Sequence, residues 1–233
     1  MRKTPETAFA LRLASALGTL LGARTAGAKT SKLLVFVQTV IKQRALQTLL
    51  QKALPGLEVT TVGRVADFGR SLKEGPDAVL TLPVVLQAHG MTPQIRGRRA
   101  GAIDEPYALL GVDAAPNIGS LKSVGAIEML DRAKTNDFVR GLIGRQVKVE
   151  RVTKVEDLLP LLQLQRADAV LIPLRMLSDI KGTSSLKLSY TELSTRVGLP
   201  ALAGLGGGGK QTVLQAAKLA GRPAQLLGVD SWQ

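Results

Sequence analysis

The feature that most constrains the fold is an internal repeat, in which the second half of the chain restates a pattern of the first. The segments Asp77–Leu80 and Asp168–Leu171 both read Asp-Ala-Val-Leu, and Pro83 and Pro173 follow them closely. Further positions match in the same order: Val59, Val62, Arg64, Val65 and Asp67 recur as Val149, Val152, Lys154, Val155 and Asp157. Single aliphatic matches arise by chance, but a whole series in constant order indicates a duplicated unit.

Apolar runs with strand periodicity alternate with segments of helical periodicity in both halves of the chain. This alternation is typical of βαβ units around mostly parallel sheets. The predicted strands span 32–37, 58–62, 77–82, 123–127, 147–152 and 168–172, and the predicted helices span 40–53, 65–73, 130–143 and 155–165. We therefore predict an α/β fold of two lobes, each a mostly parallel sheet flanked by helices.

Two connections between the lobes are predicted. Residues 97–113, with a strand-like segment at 107–112, pass from the first lobe to the second, and residues 186–205 return. A last helix at 212–220 then packs on the first lobe. The predicted division is a leader at 1–28, a first lobe at 29–104 plus 194–233, and a second lobe at 105–193. Parallel sheets bind ligands beyond the carboxyl ends of their strands, so we expect a cleft between lobes that close about a hinge.

Composition narrows the function. The 233 residues include no Cys and one His, which excludes disulfides and thiolate zinc sites and disfavours histidine-based metal centres. Aromatic residues make up only 3%, which disfavours proteins that stack bases of single-stranded nucleic acid. The formal net charge of +13 predicts attraction to anions of some kind. We expect no metal, no cofactor and no nucleic-acid partner.

The first 28 residues have the pattern of a secretory signal peptide. Arg2 and Lys3 precede a short apolar run at Leu13–Leu21, and Ala26 and Ala28 are the small residues that signal peptidase requires. The apolar run is shorter than the roughly 20 residues of a membrane span. We predict cleavage after Ala28 and a periplasmic location. An amphipathic helix that stays on the mature protein is the alternative.

Three segments resemble those of the type II periplasmic solute-binding proteins. They are Asp77–Pro83, Glu105–Leu110 and Ser120–Gly125, and the chain is most similar to the phosphate/phosphonate-binding branch that serves ATP-driven importers. The resemblance implies a Venus-flytrap fold that acts as a monomer. It also implies capture of a small solute, and a membrane permease as the partner that receives it.

One segment departs from that pattern. Phosphonate-binding members tend to have a Ser/Thr-rich turn at the start of the first helix of the second lobe, whose hydroxyl and N–H groups hold the anion. Here Ala126–Asp131 contains two carboxylates, Glu128 and Asp131, and no hydroxyl. The ligand is then neutral or cationic, or it lies mainly on the first lobe, or the fold has lost transport binding.

Candidate ligand-binding residues lie where predicted strands end. Gln38 and Thr39 follow the first strand, where N-capping by Thr39 is the alternative role. Glu128, taken as the counterpart of Gln38, is a candidate partner for an amine, or else a first-turn acid that favours the helix dipole; Met129 follows it. Pro83 and Pro173 shape the remaining turns, and setting turn geometry is their simpler role.

Other motifs predict no chemistry. Gly204–Thr212 approaches the phosphate-binding loop, but Gln211 occupies the position of the required hydroxyl. The basic run Arg96–Arg99 is expected in a solvated loop, His89 at the end of a short helix, and Trp232 packed on a lobe or on a partner. The chain is therefore not expected to be an enzyme. We predict a secreted solute-binding protein for an importer, with a sensor or interaction domain with a degenerate cleft as the alternative.

Overall fold

The computed structural model describes residues 30–233, so the predicted signal peptide lies outside the described residues. The chain first builds three parallel strands with helices between them. The elements are β1 (Ser31–Phe36), α1 (Gln43–Ala53), β2 (Leu57–Thr61), α2 (Val65–Lys73), β3 (Ala78–Thr81), α3 (Pro83–Ala88) and β4 (Ile95–Arg98). Helix α1 begins later than predicted, and the predicted basic loop is the strand β4.

The second part of the chain repeats this order after one additional strand, β5. Its elements are β5 (Asp104–Val112), a 3₁₀ turn (Ile118–Ser120), β6 (Ser123–Ile127), α4 (Arg132–Ile143), β7 (Lys148–Val152), a 3₁₀ turn (Val155–Asp157), α5 (Leu158–Gln163), β8 (Ala169–Pro173), a 3₁₀ turn (Leu174–Met176), α6 (Leu177–Thr183) and β9 (Leu188–Gly198). The predicted helix at 155–165 is therefore a 3₁₀ turn followed by α5.

The chain then returns to the first lobe. It adds β10 (Ala201–Gly204), α7 (Gly209–Ala216), α8 (Gly221–Leu226) and β11 (Ser231–Trp232). The predicted last helix at 212–220 thus begins and ends earlier, as α7. The predicted boundary between residues 193 and 194 falls inside β9, and the chain leaves the second sheet only after Gly198.

The two sheets have matching topologies. In the first, the strand order is β2-β1-β3-β10-β4-β11, and in the second it is β7-β6-β8-β5-β9. The first three strands of each order are parallel, and the fourth is antiparallel to the third. Val59 pairs with Leu33 in one sheet and Val149 pairs with Val124 in the other, so the repeated residues occupy equivalent positions.

The repeated aspartates explain part of the sequence match. Asp77 Oδ2 accepts a hydrogen bond from the Lys32 N–H at 2.8 Å. Asp168 Oδ2 accepts from the N–H groups of Lys122 and Ser123 at 2.7 and 2.8 Å. Asp77 therefore joins the start of β3 to the start of β1, and Asp168 joins the start of β8 to the start of β6. This role requires the same residue type in both lobes.

The apolar core continues from one lobe to the other. Phe36 and Val79 of the first sheet belong to the same buried cluster as Ala108 and Val170 of the second. Each lobe also has a cluster of its own on the far side of its sheet. Within residues 30–233, no helix is both long and apolar enough to span a bilayer.

Candidate ligand-binding cleft

A cavity of about 680 Å³ lies between the lobes, where β1, β2, β6 and β7 end. All four strands are parallel within their sheets, so their carboxyl ends face the cavity, as expected of open α/β sheets. The lining residues follow directly from these strand ends: Val37, Gln38, Thr39, Ile41, Lys42, Gln43, Thr61, Val62, Gly63, Arg64, Asp67, Ile127, Met129, Thr153, Lys154, Val155 and Glu156.

Gln38 and Thr39 both line this cavity, and their exposed fractions are only 6% and 8%. The Thr39 hydroxyl accepts the N–H of Ile41 at 3.3 Å, so it closes a turn and does not cap α1 as the alternative prediction had it. The N-cap of α1 is Lys42, which makes no side-chain capping bond. The first turn of α1 therefore keeps N–H groups available at the cavity.

Met129 also lines the cavity, but Glu128 does not. The backbone N–H of Glu128 donates to Val152 O at 2.8 Å, which continues the pairing of β6 with β7 beyond Ile127. Side chains alternate along an extended segment, so Ile127 and Met129 share one side and Glu128 lies on the other. The Glu128 carboxylate instead lies 3.8 Å from Arg151 Nε.

The pairing register also corrects the predicted counterpart of Gln38. Leu33 and Val124 are equivalent, because they pair with the equivalent residues Val59 and Val149. Counting forward equally from these two positions leads from Gln38 to Met129, and not to Glu128 as the sequence match suggested. The second copy is one residue shorter than the first between these two paired strands. The sequence match did not include this difference, and it therefore assigned Glu128 instead of Met129 as the counterpart of Gln38.

The two prolines shape turns and do not line the cavity. Pro83 is the first residue of α3, where its missing N–H costs no hydrogen bond. Its ring also packs against Gly198, where an added Cβ would lie 2.9 Å from Pro83 Cγ. Pro173 is the last residue of β8 and pairs with Tyr107.

Charged residues that line the cavity were not among the predicted ligand-binding residues. Arg64 Nε lies 2.7 Å from Asp67 Oδ2, and Lys154 Nζ lies 3.9 Å from Glu156 Oε1. Lys42 has no carboxylate within 4.0 Å among residues 30–233. The sequence repeat could have indicated two of these cations as cavity residues, since Arg64 and Lys154 occupy matching positions in the two copies. The lining therefore has an excess of one positive charge.

Beside the cavity lies a buried ion pair that the sequence did not reveal. Arg175 Nη1 donates to Glu105 Oε1 at 2.9 Å, and the two side chains are 7% and 6% exposed. Burial raises the pKa of Glu105, and the nearby Arg175 opposes that shift. Burial likewise raises the pKa of the neighbouring Tyr107 phenol, which therefore stays protonated as a hydrogen-bond donor.

The remaining motifs serve the fold. In the glycine-rich segment, Gly204 and Gly209 approach so closely that a Cβ on Gly204 would lie 2.7 Å from the Gly209 carbonyl carbon. His89 ends α3 with its ring edge-on to Phe68, and burial lowers the His89 pKa. Trp232 Nε1 donates to Leu219 O at 2.9 Å, which confirms that Trp232 packs the chain end onto a lobe. Residues 30–233 contain no cluster of three carboxylates or imidazoles able to hold a metal.

Solved structures share this architecture. The periplasmic VFT2 domain of BvgS from Bordetella pertussis has a TM-score of 0.56 at 16% identity, over 86% of this chain and 94% of that one. The chain has a Venus-flytrap fold. ArgBP from T. maritima matches with a TM-score of 0.54 at 16% identity, over 79% and 86% of the two chains. The substrate-binding protein of an amino acid ABC transporter matches with 0.53 at 10%, over 85% and 92%.

These matches confirm the predicted two-lobed α/β fold of the type II periplasmic binding proteins. No family model and no curated protein matches the sequence. At identities of 10–16% the likeness is one of fold alone. The neighbours named above do not support the predicted phosphate/phosphonate branch. One of them is named ArgBP, and another is the substrate-binding protein of an amino acid ABC transporter.

Proposed function

We propose that this Venus-flytrap protein binds a small organic anion with an apolar body in the cleft between its lobes. The observation that supports the proposal is the lining of the cavity, to which Gln38, Thr39 and Lys42 of the first lobe and Ile127 and Met129 of the second all contribute. The lining offers hydrogen-bond donors and one net positive charge. Both lobes also contribute apolar surface to it, which favours a ligand with hydrocarbon of its own.

The charges favour an anion over an amine or a zwitterion. An ammonium group needs a carboxylate, but Asp67 and Glu156 each already lie beside a cation. An anion needs a donor or a cation, and Lys42 has no carboxylate partner among the described residues. Inorganic phosphate would satisfy Lys42 but would leave Ile127 and Met129 without an apolar partner.

The biological role that we propose is periplasmic delivery of this solute to an ABC-type permease. The fold shared with the binding protein of an amino acid ABC transporter supports this role, as does the predicted signal peptide. Both sides of the cleft come from one chain, so a monomer suffices. The proposal is one of binding without chemistry.

A sensor domain is the second candidate. The VFT2 domain of BvgS, which has the same fold, supports it, and so does the buried apolar cluster that joins the lobes. A distance between the lobes that does not change when hexanoate binds to the purified protein would favour the sensor.

The test is a thermal-shift panel of hexanoate, phosphate, methylphosphonate and arginine. A ligand that binds the native state at a hundred times its Kd adds about 2.7 kcal/mol of stability, which raises the Tm of a chain of this size by roughly 5–10 °C. We expect the largest shift with hexanoate.

Two lysines of the same region provide a matched comparison. Lys42→Met should reduce the hexanoate shift, whereas Lys52→Met, an exposed change in the last turn of α1 outside the cavity, should leave it unchanged. A shift with arginine alone, or with no member of the panel, would contradict the proposed ligand class.

A further inference from the structure

Two side chains of the second lobe reach across to one residue of the first lobe. Arg175 Nη2 donates to the backbone oxygen of Gln38 at 3.2 Å. The Tyr107 hydroxyl donates to Gln38 Oε1 at 3.4 Å. Gln38 lines the cleft, so these contacts fix a cleft residue of one lobe from the other lobe.

Arg175 is itself held on several sides. Its guanidinium is paired with Glu105 of β5 at 2.9 Å. It also packs against the first lobe at Gly228, where an added Cβ would lie 2.3 Å from Arg175 Nε. Gly228 has a φ of 84°, which side chains rarely adopt, so both the space and the backbone require glycine there. The buried guanidinium therefore occupies one position between the lobes.

Tyr107 is equally constrained. Its side chain is fully buried, and its ring meets the edge of Phe138 at a centroid distance of 6.2 Å. The phenol can donate only one hydrogen bond, and Gln38 Oε1 accepts it. With its amide oxygen occupied in this way, Gln38 presents its other amide atom, Nε2, which has no acceptor among residues 30–233.

We propose that Arg175 and Tyr107 are positioning residues of the cleft, which fix Gln38 so that its Nε2–H group donates to the ligand and which, by bridging the lobes, favour the arrangement of the lobes described here. The donor role of Gln38 rests on the function proposed above. The bridging of the lobes does not, because Arg175 and Tyr107 contact Gln38 directly.

The variants isolate these contacts from general effects. Arg175→Met alone would leave the Glu105 charge buried and unpaired, so the main variant is the double substitution Arg175→Met with Glu105→Gln. Tyr107→Phe removes one hydroxyl and keeps the ring, which protects folding. The matched control is Arg196→Met, since Arg196 also pairs with a carboxylate of β5, Asp104, but is half-exposed and does not contact Gln38.

The first measurement needs no ligand. The native chain has no Cys, so Lys52→Cys in α1 and Arg132→Cys in α4 would take two spin labels, one on each lobe. Pulsed electron-spin distance measurements then report lobe closure in the full-length protein. We expect one narrow distance in the parent and in Arg196→Met, and a longer, broader distribution in the Arg175/Glu105 double variant.

The second measurement is the Kd for hexanoate. We expect binding about tenfold weaker in the double variant and about fivefold weaker in Tyr107→Phe, with Arg196→Met within twofold of the parent. Arg175→Lys, which retains the charge but cannot reach both oxygens with a rigid fork, should fall between parent and double variant. This graded rescue is not expected if Arg175 only fills space.

The outcomes separate the two proposals. If neither hexanoate nor another panel member binds the parent protein, the proposed ligand class fails, while the distance measurement still decides whether Arg175 and Tyr107 hold the lobes together. If the double variant and Tyr107→Phe match Arg196→Met in distance distribution, the inference is overturned. If the double variant unfolds, Tyr107→Phe alone decides it, by an altered or an unaltered distance distribution.

Discussion

At the turn after its first strand, the first lobe presents Gln38 to the cleft, whereas the second lobe presents Met129 at the equivalent position. At the start of the third strand, by contrast, both lobes have the same aspartate in the same role. The duplicated unit thus retains an aspartate that connects strands and varies the residue that follows the end of β1 and of β6 at the cleft. This difference makes Gln38 and Met129 the positions at which ligand contact is best tested.

The largest expected effect tests whether the two sheets tolerate crowding differently. A Cβ on Gly97 would lie 2.2 Å from Val229 Cγ1 and 2.8 Å from the Pro200 backbone oxygen. A Cβ on Gly125 would meet the ends of the Leu161 and Val170 side chains, at 2.6 and 2.9 Å. Side-chain ends can move more easily than a backbone carbonyl.

We therefore expect Gly97→Ala to lower the free energy of unfolding by about 3 kcal/mol and Gly125→Ala by about 1 kcal/mol. Urea denaturation followed by circular dichroism measures both values. An equal loss in the two variants would mean that the sheets repack alike.

The paired aspartates test the equivalence of the lobes. Asp168 accepts two backbone N–H groups, whereas Asp77 accepts one. We expect Asp168→Ala to cost about 2 kcal/mol of unfolding free energy and Asp77→Ala about 1 kcal/mol, because hydrogen bonds to charged acceptors are lost in that ratio. Chemical denaturation at neutral pH checks the order, and a larger loss for Asp77→Ala would contradict it.

The pH dependence of stability tests the hydrogen bonds that Asp168 accepts in the second lobe. Partial burial works to raise the pKa of Asp168, but hydrogen bonds from the Lys122 and Ser123 N–H groups prevail and lower it. A lowered folded-state pKa stabilises the protein above the unfolded-state value of about 3.9, and this contribution disappears as pH falls through the folded-state pKa. Stability measured from pH 6 to pH 2 should therefore decline less in Asp168→Asn than in the parent, and parallel curves would refute this assignment.

The smallest expected effect concerns the cleft itself. Met129→Gln makes the second lobe resemble the first at the equivalent turn, and it should weaken hexanoate binding about fivefold through loss of apolar contact. Glu128→Gln is the neighbouring control and should change the Kd by less than twofold, because Glu128 faces Arg151 and not the cavity. Calorimetric titration measures both, and a stronger effect at Glu128 would restore the predicted carboxylate site.

Much of the fold was predictable because the repeat marks elements whose residues have local causes. Asp77 and Asp168 precede equivalent strands, and Pro83 begins a helix where proline is favoured. The start of α1 was not predictable from periodicity, because the apolar residues at 40 and 41 continue the helical pattern although the turn closed by Thr39 delays the helix.

The site was predictable only in part. Gln38, Thr39 and Met129 follow strand ends, which parallel sheets direct to a common edge. Alternation along the strand could have excluded Glu128, since its neighbours Ile127 and Met129 share the other side. The pairing of Glu105 with Arg175 joins residues far apart in sequence, and no spacing rule predicts which of many arginines meets a given carboxylate.

The two connections between the lobes are not independent. Asp104 at the start of β5 pairs with Gly198 at the end of β9, and just beyond them the Leu199 N–H donates to Ile103 O at 2.9 Å. The two connecting segments are therefore hydrogen-bonded to each other where they pass between the lobes, and we expect them to bend together as one hinge.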